Sequence, residues 1–367
     1  MTNFKIGIIG CGTISDIYLK NLRALLRGLD IVAVADIDPT KAEAKAAAYS
    51  INRVETPDEL MSDPEVDIVL NLTVPLAHAE VSARALRAGK HVYSEKPLAV
   101  DLGEGRALVS LAQSKGLHIG CAPDTFLGSG IQTCIALVDD GAIGDIVAAS
   151  AFVANHGPES WHPNPAFFYK RGGGPLLDIG PYYFTTLVSL LGPARAVVAM
   201  SRASFPERTI GEGQDKGKQI KVEVPTHVVG AVEFESGAIA DCTISFDVWH
   251  SERPRMELYG SKGSIIVPDP NFFCGPVMLR LAGDASWRTI ACTSPLGENA
   301  RGLGLAEMAS AIAEKRHCRV SGLLALHVLE IMDGFRTSAD RGERVTIEAG
   351  CARPNILTNK EINGLLR

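Results

Sequence analysis

Short apolar runs alternate with amphipathic stretches along the first third of the chain. Residues 5–9, 31–35, 66–72, 91–93 and 118–121 read as buried strands. Between them, residues 16–27, 76–88 and 101–115 repeat their apolar positions at helical spacing, and Gly28 and Gly89 stop two of these helices. Asp38-Pro39 and Thr56-Pro57 each place a capping side chain before a proline, which starts two further helices. Strands and helices in this alternation predict a doubly wound parallel sheet, with its ligand beyond the carboxyl ends of the strands.

The pattern changes after Cys121. A helix over 129–139 and a strand over 146–155 lead into a loop rich in Pro, His and aromatics, 156–170. Gly172-Gly-Gly-Pro175 introduces one helix, predicted to run unbroken over 176–191. Strand-like runs at 195–204, 228–234, 239–248, 255–259 and 264–267 follow, with weaker ones at 277–281 and 287–291. Turns such as Ser236-Gly237 and Gly260-Ser-Lys-Gly263 between them predict an antiparallel sheet. The charged, glycine-rich segment 206–225 reads as an exposed hairpin or loop, and helices over 303–313 and 323–338 close the chain. The expected fold class is α/β in two domains: residues 1–122 on the parallel sheet, and residues 123–367 on a large open antiparallel sheet that serves substrate binding and oligomerisation.

Composition removes several functions from this picture. A net charge of −6, with no basic stripe, argues against nucleic acid and gives no attraction to anionic membranes. No apolar run reaches membrane-spanning length, and no leader precedes the first strand, so a cytoplasmic protein is expected. The eight cysteines are scattered without a C-x-x-C pair and read as reduced packing residues. His156, His162 and Asp178 match no standard metal-ligand spacing, so no metal is expected.

The first strand runs into Gly10-Cys-Gly-Thr-Ile-Ser15, a tight turn that opens a helix, and the next strand ends on Asp36. Gly10 permits the turn. Gly12 lets the backbone approach a pyrophosphate, whose charge the helix N-terminus attracts. Asp36 is placed to accept hydrogen bonds from an adenosine ribose and repels a 2′-phosphate, and Ile37 follows where an arginine could have bound one. NAD is therefore expected, with dual use of NADP as the alternative.

Three motifs stand in order: Gly7-Ile-Ile-Gly-Cys-Gly-Thr-Ile-Ser15, Ala88-Gly-Lys-His-Val-Tyr-Ser-Glu-Lys-Pro97 and Gly172-Gly-Gly-Pro-Leu-Leu-Asp-Ile-Gly-Pro-Tyr182. Together they resemble the glucose–fructose oxidoreductase, inositol dehydrogenase and rhizopine-catabolism family, written Gfo/Idh/MocA. The resemblance implies hydride transfer between NAD(P) and a sugar, polyol or related alcohol, and a homodimer or homotetramer. It makes Lys96 catalytic and maps the family aspartate to Asp178. The usual histidine position holds Tyr182 instead. Cofactor contacts are expected from Gly10, Gly12, Thr13, Ile14, Asp36, Ile37, Thr73, Pro75, His78, Glu95 and Lys96.

On an unbroken helix, Asp178 and Tyr182 would share one face. If that face looks toward Lys96, Tyr182 is the acid/base, because a neighbouring ammonium favours the phenolate of a group whose ordinary pKa is about 10. Lys96 is then its electrostatic partner and Asp178 the positioning group. The alternative gives the proton to Lys96, with Tyr182 only positioning. In the loop 155–163, Trp161 offers a flat face to a sugar ring, and Asn155, His156 and His162 offer hydrogen bonds, so these residues are the expected substrate contacts beside Lys96, Asp178 and Tyr182. The expected activity is an NAD-dependent dehydrogenase acting on a sugar, sugar derivative or cyclic polyol. Its rivals are a keto-sugar reductase running the same chemistry backward and a non-catalytic sugar or nucleotide sensor.

Overall fold

The computed structural model describes residues 3–162, 164–292, 294, 296 and 299–367. The chain forms two compact units, one of residues 1–128, 294–326 and 354–367, the other of residues 129–293 and 327–353.

The first unit is built on six strands, β1 (Phe4–Ile9), β2 (Leu29–Ala35), β3 (Val54–Glu55), β4 (Ile68–Asn71), β5 (His91–Ser94) and β6 (Ile119–Cys121). They pair in the order β3-β2-β1-β4-β5-β6, and every pair is parallel. Ile6, Ile8, Val34, Ile68, Leu70 and Val92 are buried, the pattern expected of a sheet covered on both faces. Helices α1 (Ser15–Ala24), α2 (Pro39–Ala48), α3 (Pro57–Ser62), α4 (His78–Arg87) and α5 (Leu102–Ser114) connect the strands. Asp38 caps α2 through the Thr40 amide, and Thr56 with Glu59 closes a capping box on α3. Strand order reverses between β1 and β4, which opens a crevice at their carboxyl ends.

The domain boundary expected at residue 122 accounts for only part of this unit. The later segments are tied in by backbone hydrogen bonds: Cys121 N–H to Val320 O (3.0 Å), Arg27 N–H to Leu365 O (2.9 Å) and Arg367 N–H to Leu25 O (2.9 Å). Asp124 accepts the Gly302 and Gly304 amides at 2.8 and 3.0 Å, capping the start of a further helix, and burial pushes its carboxyl up to about 6. Sequence periodicity carries no sign of contacts made by segments so far apart in the chain.

The second unit holds helices α6 (Ser129–Asp139), α7 (Gly174–Asp178) and α8 (Gly180–Leu191) and nine strands in one sheet, ordered β16-β15-β14-β13-β7-β12-β11-β8-β17. These strands are β7 (Ile146–Ala154), β8 (Ala194–Arg202), β11 (His227–Phe234), β12 (Ile239–Ser245), β13 (Met256–Gly260), β14 (Gly263–Val267), β15 (Val277–Leu281), β16 (Arg288–Ile290) and β17 (Val345–Thr346). The sheet is mixed where an antiparallel one was expected: β12 runs parallel to β7, Ser245 opposite Ala154, and the other pairs are antiparallel. Both central strands therefore release their loops at the same end. Helices α9 (Leu303–Glu314), α10 (Gly322–Arg341) and α11 (Asn359–Leu365) complete the chain.

Segment 206–225 forms a hairpin of β9 (Glu207–Thr209) and β10 (Gln219–Lys221), but it is not merely exposed. Ile210 and Ile220 join Phe168, Tyr169 and Phe246 in a small core on which Ile179 packs. The expected helix over 176–191 is broken at Ile179. Pro181 has no amide to donate, and the Tyr182 amide turns to Ile179 O (3.1 Å) instead of the carbonyl four residues back. Asp178 and Tyr182 thus end one helix and begin the next, so a shared face no longer follows from their spacing.

Candidate functional site

The crevice of the first unit is lined by the glycine turn after β1 and by the segment after β4. Gly10 has φ +101°, and a Cβ there would lie 2.5 Å from Leu72 backbone atoms, so no other residue fits. Gly12 differs, since a Cβ on it would meet nothing within 4 Å. The protein itself therefore does not require glycine at Gly12, whereas a ligand resting on the turn would. Ser15 is buried and its hydroxyl donates to Gly12 O (2.7 Å), which replaces the usual glycine or alanine without loss of packing. Helix α1 has Ile14 at its N-cap and so no side-chain cap, which leaves its N-terminus suited to an anion. Thr13 is exposed beside it.

Asp36 holds the turn in place. One carboxylate oxygen accepts the Cys11 amide (2.7 Å) and the other the Asp38 amide (2.9 Å). Cys11 is buried, and burial with the nearby Asp36 charge pushes its thiol up to about 11, so it stays protonated. Ile37 is 95 % exposed, and Val74 and Leu76 beyond β4 are exposed too, apolar side chains left uncovered past the carboxyl ends of β2 and β4. These observations fit a dinucleotide. Replacing Gly12 with valine is expected to weaken NADH binding by more than about ten-fold, as the ligand loses its close approach. Its stability should stay within about 0.5 kcal/mol of wild type, because the new side chain enters open space. Fluorescence titration and thermal melts check both arms.

Lys96 sits just past the carboxyl end of β5, half-buried. Its loop is fixed from several directions. The Lys96 amide donates to Glu95 Oε2 (3.0 Å), the buried Tyr18 phenol donates to Glu95 Oε1 (2.8 Å), and the Glu95 amide donates to Asn71 O (2.9 Å). His78 is buried with one ring nitrogen 2.7 Å from Pro97 O and the other 3.0 Å from Thr73 O. Burial drives its pKa down, outweighing the two carbonyls that favour the charged ring. A neutral ring donates to only one of them, yet it still spans both loops. The structure thus makes Glu95 and His78, expected at the cofactor, inward-facing braces of the Lys96 loop and of the Thr73-Val74-Pro75 segment. Asn71 completes this frame, donating to His78 O and Ser82 Oγ and accepting from the Thr73 hydroxyl. Its one signal in the sequence is an amide interrupting an apolar strand.

In the second unit, Asp178 is half-buried and Tyr182 buried. The triple glycine before them serves the protein's own packing. Gly172 and Gly174 have φ of +86° and +83°, and a Cβ on Gly173 would lie 2.3 Å from Phe167 O. The loop after β7 is organised by a residue that sequence reading missed. Arg208, 4 % exposed, donates to Glu159 Oε1 (2.9 Å), His156 O (3.2 Å), Phe246 O (2.9 Å) and the Asp247 carboxylate. Tyr169 donates to the second oxygen of Glu159, and Thr226 to the second of Asp247 (2.8 Å). Asn155 Oδ1 accepts the Gly157 amide (2.8 Å). His156 is half-buried, while Asn155 and Trp161 are exposed. His162 packs edge-on against Trp161, Phe167 and Phe168. Pro163 of this loop lies outside the described residues.

A parallel sheet whose switch-point crevice carries a glycine turn, a helix without a side-chain cap and a strand-end carboxylate defines a dinucleotide-binding class of protein. Family models agree. Residues 4–122 match the oxidoreductase family with NAD-binding Rossmann fold, and residues 131–266 match the GFO/IDH/MocA C-terminal domain. The chain belongs to the GFO/IDH/MocA family of NAD-binding oxidoreductases. A 1,5-anhydro-D-fructose reductase of Ensifer adhaerens is 30% identical over 71% of this chain and 74% of its own length. An inositol 2-dehydrogenase of Rhizobium meliloti is 27% identical over 77% of this chain and 80% of its own. A solved levoglucosan dehydrogenase, apo form, superposes with TM-score 0.82 at 22% identity, covering 96% of this chain and 100% of that one.

Proposed function

We propose that this enzyme oxidises a CH–OH group of a sugar, sugar derivative or cyclic polyol, with Lys96, Tyr182 and Asp178 handling the hydroxyl proton. The observation that carries the reading is the bracing of Lys96 at the end of β5, beside a crevice suited to a dinucleotide. Bound there, NAD supplies the hydride acceptor. Tyr182 takes the hydroxyl proton, the Lys96 ammonium stabilises the oxygen as that proton leaves, and Asp178 orients the reacting group. Asn155, Trp161 and His162 contact the remaining hydroxyls and the ring, with the His156 imidazole held behind them by Arg208. The relatives named for sugar and inositol chemistry support the substrate class, and they include both a reductase and a dehydrogenase.

Among the described residues no helix is long and apolar enough to cross a membrane, and all eight cysteines are free thiols, which supports placement in the cytoplasm. The outer face of the nine-stranded sheet supports a homodimer or homotetramer. Val198, Met200, Val229 and Ile239 are exposed there, with Met200 opposite Val229 in register.

The test is a panel of sugars and polyols assayed with each cofactor in both directions, beside sedimentation equilibrium. Turnover of a cyclic substrate, with NAD preferred over NADP by about ten-fold or more, is expected from Asp36. No turnover of any sugar or polyol overturns the substrate class, and a monomer at micromolar concentration overturns the assembly.

A further inference from the structure

The loop after β12 carries an indole that neither the cofactor frame nor the proton chemistry uses. Trp249 is 68 % exposed, yet its ring lies face-on against His156, centroids 3.4 Å apart and planes 13° from parallel. His156 is itself held. Arg208 Nη1 lies 3.4 Å from its Nε2 and donates to its carbonyl, and Phe205 meets the imidazole edge-on at 5.9 Å. Arg208 stacks over Phe205 and is locked between Glu159 and Asp247. Burial and the Arg208 charge both lower the His156 pKa, so the imidazole behind the indole is uncharged at neutral pH. The chain therefore presents a flat apolar face whose rotamer freedom is already spent, the condition under which an aromatic ring binds a ligand with little ordering cost.

Position favours the same conclusion. The His156 and Trp249 loops leave the carboxyl ends of β7 and β12, the parallel pair of the sheet. Asn155 N–H donates to Ser245 O (3.1 Å), and Val248 N–H donates to Asn155 O (3.1 Å), which sews the two loops together. Among the described residues, Trp161 has no stacked ring behind it. It is 62 % exposed and meets His162 only edge-on, with centroids 5.5 Å apart.

We propose that the Trp249 indole, backed by His156, is the stacking platform for the substrate ring and selects cyclic substrates over open-chain polyols. The inference rests on the sugar or polyol oxidoreductase reading and adds a specificity-determining residue to it. A pyranose or cyclitol presents a face of C–H bonds that lies flat on an indole, whereas an open-chain polyol has no rigid face to stack.

The experiment compares Trp249→Ala and Trp249→Phe with wild type, using a cyclic substrate from the panel and an open-chain polyol as substrate or competitive inhibitor. Trp249→Ala is expected to raise KM for the cyclic substrate about ten-fold, with kcat within about three-fold of wild type. Trp249→Phe should recover most of the loss. Neither should change the KM or inhibition constant of the open-chain compound. Unchanged cyclic KM in Trp249→Ala overturns the platform, and so does an equal shift for both compounds. A lower melting temperature with kcat falling alongside assigns the ring a structural role and overturns the platform. A changed sedimentation mass assigns it to a subunit contact and overturns the platform as well. Wild type inactive on every cyclic compound refutes the substrate class itself, and that result is read before any variant is made.

Discussion

Lys96→Met is expected to lower kcat by about a thousand-fold while leaving NADH affinity within a few-fold of wild type. The loop has anchors in which the ammonium takes no part. Its anchors are the Lys96 amide on Glu95, the Glu95 amide on Asn71 O and the His78 ring at Pro97 O, all of which methionine preserves. The substitution therefore removes charge and hydrogen-bond capacity from an otherwise intact loop. Tyr182→Phe separates the two proton assignments. If the phenol carries the proton, kcat falls by about a hundred-fold or more, the usual span for a lost general acid or base. A Tyr182→Phe enzyme within a few-fold of wild type excludes the phenol and moves the proton to Lys96. Single-turnover rates at saturating substrate and NADH fluorescence titrations read the two quantities apart.

The first unit was largely legible in the sequence because its strands are buried on both faces. They appear as continuous apolar runs, and the glycine turn and Asp36 fall at their ends. Residue types were readable there, but their direction was not. Glu95 and His78 look like ligand contacts in a motif, and only the packing of Tyr18, Thr73 and Pro97 around them shows both turned inward. The second unit was less legible. Pro181 was a visible warning against a continuous helix, yet the apolar residues around it keep helical spacing through the break. The parallel pairing of β7 and β12 is a long-range fact with no local signature, and the meeting of His156 with Trp249 depends on it. Arg208 gave no signal at all, being one charge in a charged, glycine-rich segment. Its partners Glu159 and Asp247 come from loops far away in the chain.

Arg208→Met is expected to destabilise the protein by about 3–5 kcal/mol, the range for removing one partner of a buried ion pair. The size follows from what remains behind. The side chains of Glu159 and Asp247 are 8% and 4% exposed, so neither carboxylate can recover its hydration when the guanidinium goes. Two carbonyls, of His156 and Phe246, lose a donor as well. Arg208→Lys should recover only part of the loss, because one ammonium cannot reproduce the fork that reaches both carboxylates at once. Adding Glu159→Gln and Asp247→Asn to Arg208→Met should restore stability toward wild type. Those changes remove the buried charges that cause the penalty, although Tyr169 and Thr226 still need acceptors and the amides retain an oxygen for each. Denaturant melts of the four proteins give the comparison. If the triple variant is no more stable than Arg208→Met alone, the penalty comes from lost packing around Phe205 and Tyr169, and unpaired charge is not its cause.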